Sequence, residues 1–304
     1  MRKAALKKLL QLAKEDRRIL LVASDVSSDV IGEFQREVPD QLLLEGIAEA
    51  HAIGMSAGLA LQGSIVFANT IASFLTKRAF EQIAINLCLE NANVKLLGQG
   101  GGLVYGPQGP THHALEDIAI LRTLPNMKIF VPCDVRQAER AVSLAAQIDG
   151  PCYIRLAKGS ARTVSAGHDF RVGQPIVHIK PKHILLICSG IMTQTAIEVA
   201  EKIDGCGVVQ VFMMKPFCYE ELGPYLDGVQ FVATIEEHSR IGGLASCVSE
   251  TIVQHCVSKP KFHSFSLGDD FIRTYGKQEA LLSAHGLDAA GITGKLCELL
   301  GPIQ

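Results

Sequence analysis

Within residues 42–61, LLLEGIAEAHAIGMSAGLAL, Glu49 sits at the mouth of an otherwise apolar, small-residue segment. The run AIGMSAGLAL reads as a buried helix, because Ala and Gly at close spacing let another backbone approach. A carboxylate at the edge of such a helix is poorly solvated and needs a hydrogen-bond partner. The alternative is a solvent-facing acid favoured by the helix N-terminus. GSIVFAN (63–69) follows at once and reads as a strand, so the region is a helix feeding a short apolar strand.

That alternation repeats outward in both directions. RRILLVASD forms a strand ending at Asp25, NVKLLG another, and MKIFVPC and PCYIRLA two more, with helical segments such as 76–90 and VRQAERAVSLAAQI between them. ALEDIAILRTL is also helical, and a Gly-rich stretch, GQGGGLVYGPQGPTHH (98–113), lies before it. A second series starts at HILLICSG, runs through VVQVFMM and FVATIEE, and ends in two short helices. The pattern predicts an α/β protein of two domains, each a mostly parallel sheet flanked by helices. The boundaries expected are residues 1–165, a polar linker at 166–180, and 181–304. In open parallel sheets ligands sit at the carboxyl ends of the strands. The Asp25 loop, the Asn69–Phe74 loop and the 98–113 loop fall at such ends, which favours a functional Glu49.

With 48% hydrophobic and 20% charged residues, the 304-residue chain is globular. A net charge of −2 without long single-sign runs gives no electrostatic case for nucleic acid or an anionic membrane. Nine Cys without a C-x-x-C read as buried reduced thiols, and so predict a cytoplasmic setting. The N-terminal MRKAALKKLLQLAKED is an amphipathic helix too charged for a signal peptide, and no apolar run is long enough to span a membrane. No Cys/His cluster has metal-ligand spacing.

EGIAEAHAIGMSAGLAL, SFLTKRAFEQI, GPTHHALEDIAILRTLPNMKIFVPCD and GPCYIRLAKG resemble, in order, the pyrimidine-binding domain of transketolases. TIEEHSRIGGLASCVSE resembles their C-terminal domain. The resemblance covers nearly the whole chain and is closest to the C-terminal half of split, two-subunit transketolases. It implies thiamine diphosphate as cofactor and transfer of a two-carbon ketol unit from a ketose donor to an acceptor. It further implies that Glu49 engages the pyrimidine nitrogen N1′, that Phe74 stacks on that ring with Ile71 beside it, and that Asp25 lies near the cofactor. His112 of GPTHH would face the reacting carbons, whereas His113, in what reads as a helix start, is structural. His51 matches a histidine of deoxyxylulose-phosphate synthases. The alternative within the resemblance is acyl or hydroxyacyl transfer to a carrier thiol or aldehyde, as in 2-oxo-acid dehydrogenase β-subunits or deoxyxylulose-phosphate synthases.

The family's G-D-G motif and distant Asn-Asn pair, which bind diphosphate through a metal ion, are absent; Gly268-Asp269-Asp270 is the nearest match. The resemblance therefore implies that a partner subunit carries the Mg2+ and diphosphate half-site, in an α2β2 heterotetramer. The family's phosphate grip is altered as well. Arg2 matches one arginine, but Lys158 stands for the other, Asp29 for a serine and Gly100 for a histidine. Gln108 replaces an aspartate that reads a sugar hydroxyl, and Ile71 an aromatic. A carboxylate at 29 would repel a phosphate, so the expectation is non-standard specificity, with a smaller, non-phosphorylated or carrier-protein-bound substrate. The C-terminal domain is expected to serve dimer contacts, with His238 in a turn.

Overall fold

The computed structural model describes residues 1–24, 29–157, 162–217, 219–257 and 259–301. The first half runs α1 (Arg2–Glu15), β1 (Ile19–Ala23), α2 (Asp29–Glu37), β2 (Leu42–Leu44), α3 (Glu49–Leu61), β3 (Ile65–Ile71) and α4 (Ala72–Arg78). A short α5 (Phe80–Gln82) continues into a π-helical stretch, Ile83–Leu89. Then come β4 (Val94–Gln99), a 3₁₀ turn (Gly106–Gln108), α6 (Asp117–Arg122), β5 (Lys128–Phe130), α7 (Val135–Gln147) and β6 (Cys152–Leu156). The second half contains β7 (Ile176–Ile179), β8 (Ile184–Cys188), α8 (Met192–Ala200), β9 (Cys206–Gln210), β10 (Met213–Lys215) and α9 (Tyr219–Leu226). It closes with β11 (Phe231–Ser239), α10 (Leu244–His255), β12 (Lys261–Leu267), α11 (Gln278–Ala284) and α12 (Ala289–Leu300).

The strands form two sheets, ordered β10-β5-β6-β4-β3-β1-β2 and β12-β11-β8-β9-β7. All pairings are parallel except β10 with β5 and β7 with β9. The apolar strand runs have their cause here: β4, β6, β8 and β9 are buried along their whole length, as strands covered on both faces must be. The chain leaves β1 toward β2 on one side, then returns past β1 to β3 and on to β4. Loops after β1 and β3 therefore part in opposite directions and open a crevice at the carboxyl ends.

Several elements differ from the sequence reading. VVQVFMM is two strands: β9 stays in the second sheet, while β10 crosses to the edge of the first. Val211 N–H still bonds Cys188 O at 2.8 Å, whereas Phe212 O already accepts from Val131 N–H at 2.8 Å, so the switch occurs within one residue. Strand β7 falls inside the stretch expected to be a linker, recruited by antiparallel pairing with β9. Helix α3 is buried along one face, through Glu49, Ile53, Ser56, Ala57 and Ala60, rather than all round. One apolar cluster joins Val66, Leu96 and Ile129 of the first sheet to Ile187, Val209 and Val232 of the second, so the two share a core.

Candidate active site

Glu49 is the first residue of α3 and is 3% exposed. Gly46, with φ of 67°, turns the chain from β2 toward the crevice. Arg78, the last residue of α4, donates from Nη1 to Glu49 Oε2 at 2.7 Å. The other carboxylate oxygen, Oε1, is buried and has no hydrogen-bond partner among the described residues. An unpaired buried oxygen costs roughly 1–3 kcal/mol, so the site is built to receive a donor there.

Phe74 and Arg78 lie four residues apart on α4 and so share a face. The guanidinium carbon stands 4.9 Å from the Phe74 ring centre. On the other side the His112 ring meets Phe74 edge-on at 4.9 Å, and Tyr105 lies 6.3 Å from His112. Thr111 Oγ1 is 3.0 Å from His112 Nδ1, which leaves Nε2 free of protein partners among the described residues. Glu49, Arg78, Phe74, His112 and Tyr105 thus form a continuous run from a buried acid to an imidazole.

A cleft of about 140 Å³ opens on Glu49, Phe74 and Ile71, with Arg2, Gln99 and Tyr105 among its other walls. Its polar groups form a chain: Arg2 Nη1 donates to Gln99 Oε1 at 3.0 Å, and Gln99 Nε2 to Asn69 Oδ1 at 2.5 Å. A wider cleft of about 870 Å³ shares Phe74 with it and is also lined by Arg78, Arg273, Tyr275 and Phe271. Residues of the C-terminal half therefore line a cleft beside the site.

Of the residues singled out in the sequence, Glu49, Phe74, Ile71 and Arg2 come together in the smaller cleft, with His112 against Phe74 and Gly100 against Tyr105. Two do not join them. Gln108 is exposed in the 3₁₀ turn, and the Asp29 side chain is 90% exposed, 3.8 Å from Lys3. Neither lines the cleft, because the 3₁₀ turn carries Gln108 outward and α2 points Asp29 to solvent. Asp25 and Lys158 lie outside the described residues. His51 is exposed and pairs with Glu45 at 3.0 Å. His113 precedes α6 instead of starting it. Both its ring nitrogens are buried without partners, and burial lowers its pKa.

Sequence reasoning missed Arg78, Asn69, Gln99 and Tyr105. Arg78 was signalled by its four-residue spacing from Phe74. Asn69 and Gln99 were signalled as amides closing apolar strands. Tyr105 carried no local signal.

Behind the cleft a buried polar cluster ties the two halves together. Asp117 Oδ2 accepts from Tyr153 Oη at 2.7 Å and from Arg155 Nε at 2.8 Å. Burial alone would push the Asp117 carboxyl up, but Arg155 and His238 together hold it below the usual range. Arg155 Nη2 also donates to Ala114 O and Glu237 O. Glu237 accepts from the Leu103 N–H at 2.7 Å and from Gln278, and burial raises its pKa. His238 is buried in β11, not placed in a turn. Its Nδ1 meets Ser239 O at 2.7 Å and its Nε2 accepts from Ala119 N–H at 3.4 Å. The glycines of 98–113 make this approach possible: at Gly102, φ 78°, a Cβ would lie 2.2 Å from the Glu237 carboxyl carbon.

A parallel α/β sheet with a buried acid, an aromatic wall and an imidazole at its carboxyl ends defines an enzyme of the cofactor-binding α/β class. Residues 1–163 match the transketolase pyrimidine-binding domain and residues 175–292 the transketolase C-terminal domain. The chain belongs to the transketolase family. It is 34% identical over 298 residues to one subunit of the apulose-4-phosphate transketolase of Phocaeicola vulgatus, covering 96% of this chain and 94% of that protein. It is 31% identical over 254 residues to the 6-deoxy-6-sulfo-D-fructose transketolase subunit SqwH of a Clostridium species, covering 82% and 79%. A solved split-gene transketolase, in an inactive β4 tetramer, matches with a TM-score of 0.86 at 33% identity, over 98% of this chain and 96% of that one.

Proposed function

We propose that this chain is the pyrimidine-side subunit of a two-component transketolase that moves a two-carbon ketol unit from a ketose to an aldehyde acceptor. The observation that carries this reading is Glu49: a buried carboxylate with one oxygen paired to Arg78 and the other without a partner among the described residues. A pyrimidine ring nitrogen that shares a proton with a carboxyl group is the donor that Oε1 lacks, and Phe74 offers the ring face beside it. The residues present therefore fit the pyrimidine half of thiamine diphosphate. When bound, that cofactor supplies a nucleophilic carbon and an electron sink for breaking a carbon–carbon bond beside a carbonyl.

Glu49 holds and shares the proton at the cofactor's ring nitrogen, in a pocket that keeps bulk water away. Arg78 keeps the carboxyl in place through Oε2. Phe74 and Ile71 form the apolar wall, and the family resemblance assigns Asp25 to the cofactor as well. His112, steadied through Nδ1 by Thr111, offers Nε2 to a substrate hydroxyl or carbonyl. Arg2 and Gly100 are assigned to the substrate side, and the resemblance assigns Lys158 there as well, whereas Asp29 and Gln108 face solvent away from the cleft; the side chain missing at Gly100 removes one grip on a terminal phosphate. Mg2+ and the diphosphate belong to a partner subunit, because the G-D-G and Asn-Asn motifs are missing here; the assembly is α2β2. No described helix is long and apolar enough to cross a membrane, and every described cysteine is free, which supports a cytoplasmic setting.

The test is Glu49→Gln in the reconstituted two-subunit complex. Ketol transfer drops by about 10²–10⁴-fold, the usual worth of a positioned acid–base group. Full activity in that variant overturns the assignment.

A further inference from the structure

Position 100 has no side chain, and Tyr105 uses the space it leaves. Gly100 follows β4 with φ of 77°, and its N–H is anchored to Leu156 O at 2.7 Å. A Cβ there would lie 2.1 Å from Tyr105 Cε2 and 2.4 Å from Cδ2. The chain turns back between the two residues, and the Gln108 N–H to Tyr105 O bond of 2.8 Å closes the next turn. The ring is thus held between the Gly100 backbone and the edge of His112. It forms one wall of the Glu49 cleft.

Three further observations bear on what this wall does. The Tyr105 hydroxyl makes no hydrogen bond to the protein among the described residues, although tyrosine with a buried body usually pairs its polar tip. Tyr105 shares the lining of the cleft with Phe74, Gln99 and Arg2, so its ring stands beside the place assigned to the cofactor. Among the described residues the cleft's one lining cation, Arg2, already donates to Gln99.

We propose that Tyr105 is a specificity-determining residue. Its ring closes the end of the cleft where a longer substrate chain would lie, and its O–H donates to a hydroxyl or carbonyl oxygen of a short hydroxy-carbonyl substrate without a terminal phosphate. This rests on the ketol-transfer reading above.

The experiment uses the two-subunit complex with β-hydroxypyruvate as donor and either glycolaldehyde or ribose 5-phosphate as acceptor. Tyr105→Ala raises the kcat/KM ratio of ribose 5-phosphate to glycolaldehyde by at least about 10-fold, the lower range for opening a pocket by a few atoms. Tyr105→Phe keeps the ring and the ratio, but lowers kcat/KM for glycolaldehyde about 5-fold, the worth of one hydrogen bond. Tyr105→Leu replaces the alanine variant if that one fails to assemble. A wild-type complex active with either acceptor, together with an unchanged ratio in the truncated variant, overturns this inference alone. A wild-type complex that transfers to neither acceptor sinks the ketol-transfer reading and this inference with it.

Discussion

At the scale of single residues, the site depends on one half-satisfied acid. Arg78 is 52% exposed while Glu49 is 2% exposed at its side chain, so the pair straddles the cleft wall. Arg78→Met leaves a buried carboxylate with neither oxygen paired. Unfolding in urea should show a loss of about 1–3 kcal/mol. A change below roughly 0.3 kcal/mol would mean that the pair contributes nothing to the fold. Glu49 and Phe74 were legible in the sequence because each sits in a short local pattern, an acid before a small-residue helix and an aromatic after an apolar strand. Arg78 as partner was not, since it stands 29 residues from Glu49 and only the packing of α4 against α3 brings them together. The placement of His113 and His238 was misjudged for a related reason. Histidine is compatible with loop, helix or strand, and burial alone decides its environment.

At the scale of elements, β4 shows what a fully covered strand demands. Lys95 lies in it with no exposure, and its Nζ donates to Ile148 O at 2.6 Å and Gly150 O at 2.5 Å. Burial still lowers its pKa from 10.5 to about 8. Below pH 8 the amine is charged in the folded and unfolded chain alike, and the folded state bears the desolvation cost. Between about 8 and 10.5 the unfolded chain keeps the proton that the folded chain has released, so stability rises with pH across that window. The gain is up to roughly 3 kcal/mol, and Lys95→Met should flatten it in denaturation curves taken at a series of pH values. The long apolar strands and amphipathic helices were readable from periodicity. Strand β12 was not: KFHSFSL alternates and lies at a sheet edge, half exposed. Nor was the break between β9 and β10, because VVQVFMM is apolar apart from Gln210 and both sheets are able to bury it.

At the scale of the whole molecule, the two sheets are joined by a strand, a core and a buried charge cluster. Arg155 is the centre of that cluster: it pairs with Asp117 and Ala114 on its own side and reaches the Glu237 carbonyl oxygen across the seam. Arg155→Met leaves Asp117 and Glu237 buried without their cation, at a cost of about 3–5 kcal/mol. Denaturation should then show two separated transitions where the wild type shows one. A single unshifted transition would mean that β10 and the apolar core suffice to couple the halves. The amino-acid sequence by itself determined two mostly parallel α/β units, the order of their main elements and the acid at residue 49. Those features rest on hydrophobic period and turn chemistry within a few residues. Only the tertiary structure decided that Arg78 answers Glu49, that Tyr105 fills the space at Gly100, that the glycine run admits Glu237, and that β10 changes sheets. Each of those depends on which distant surfaces close-pack, and local pattern carries no record of that choice.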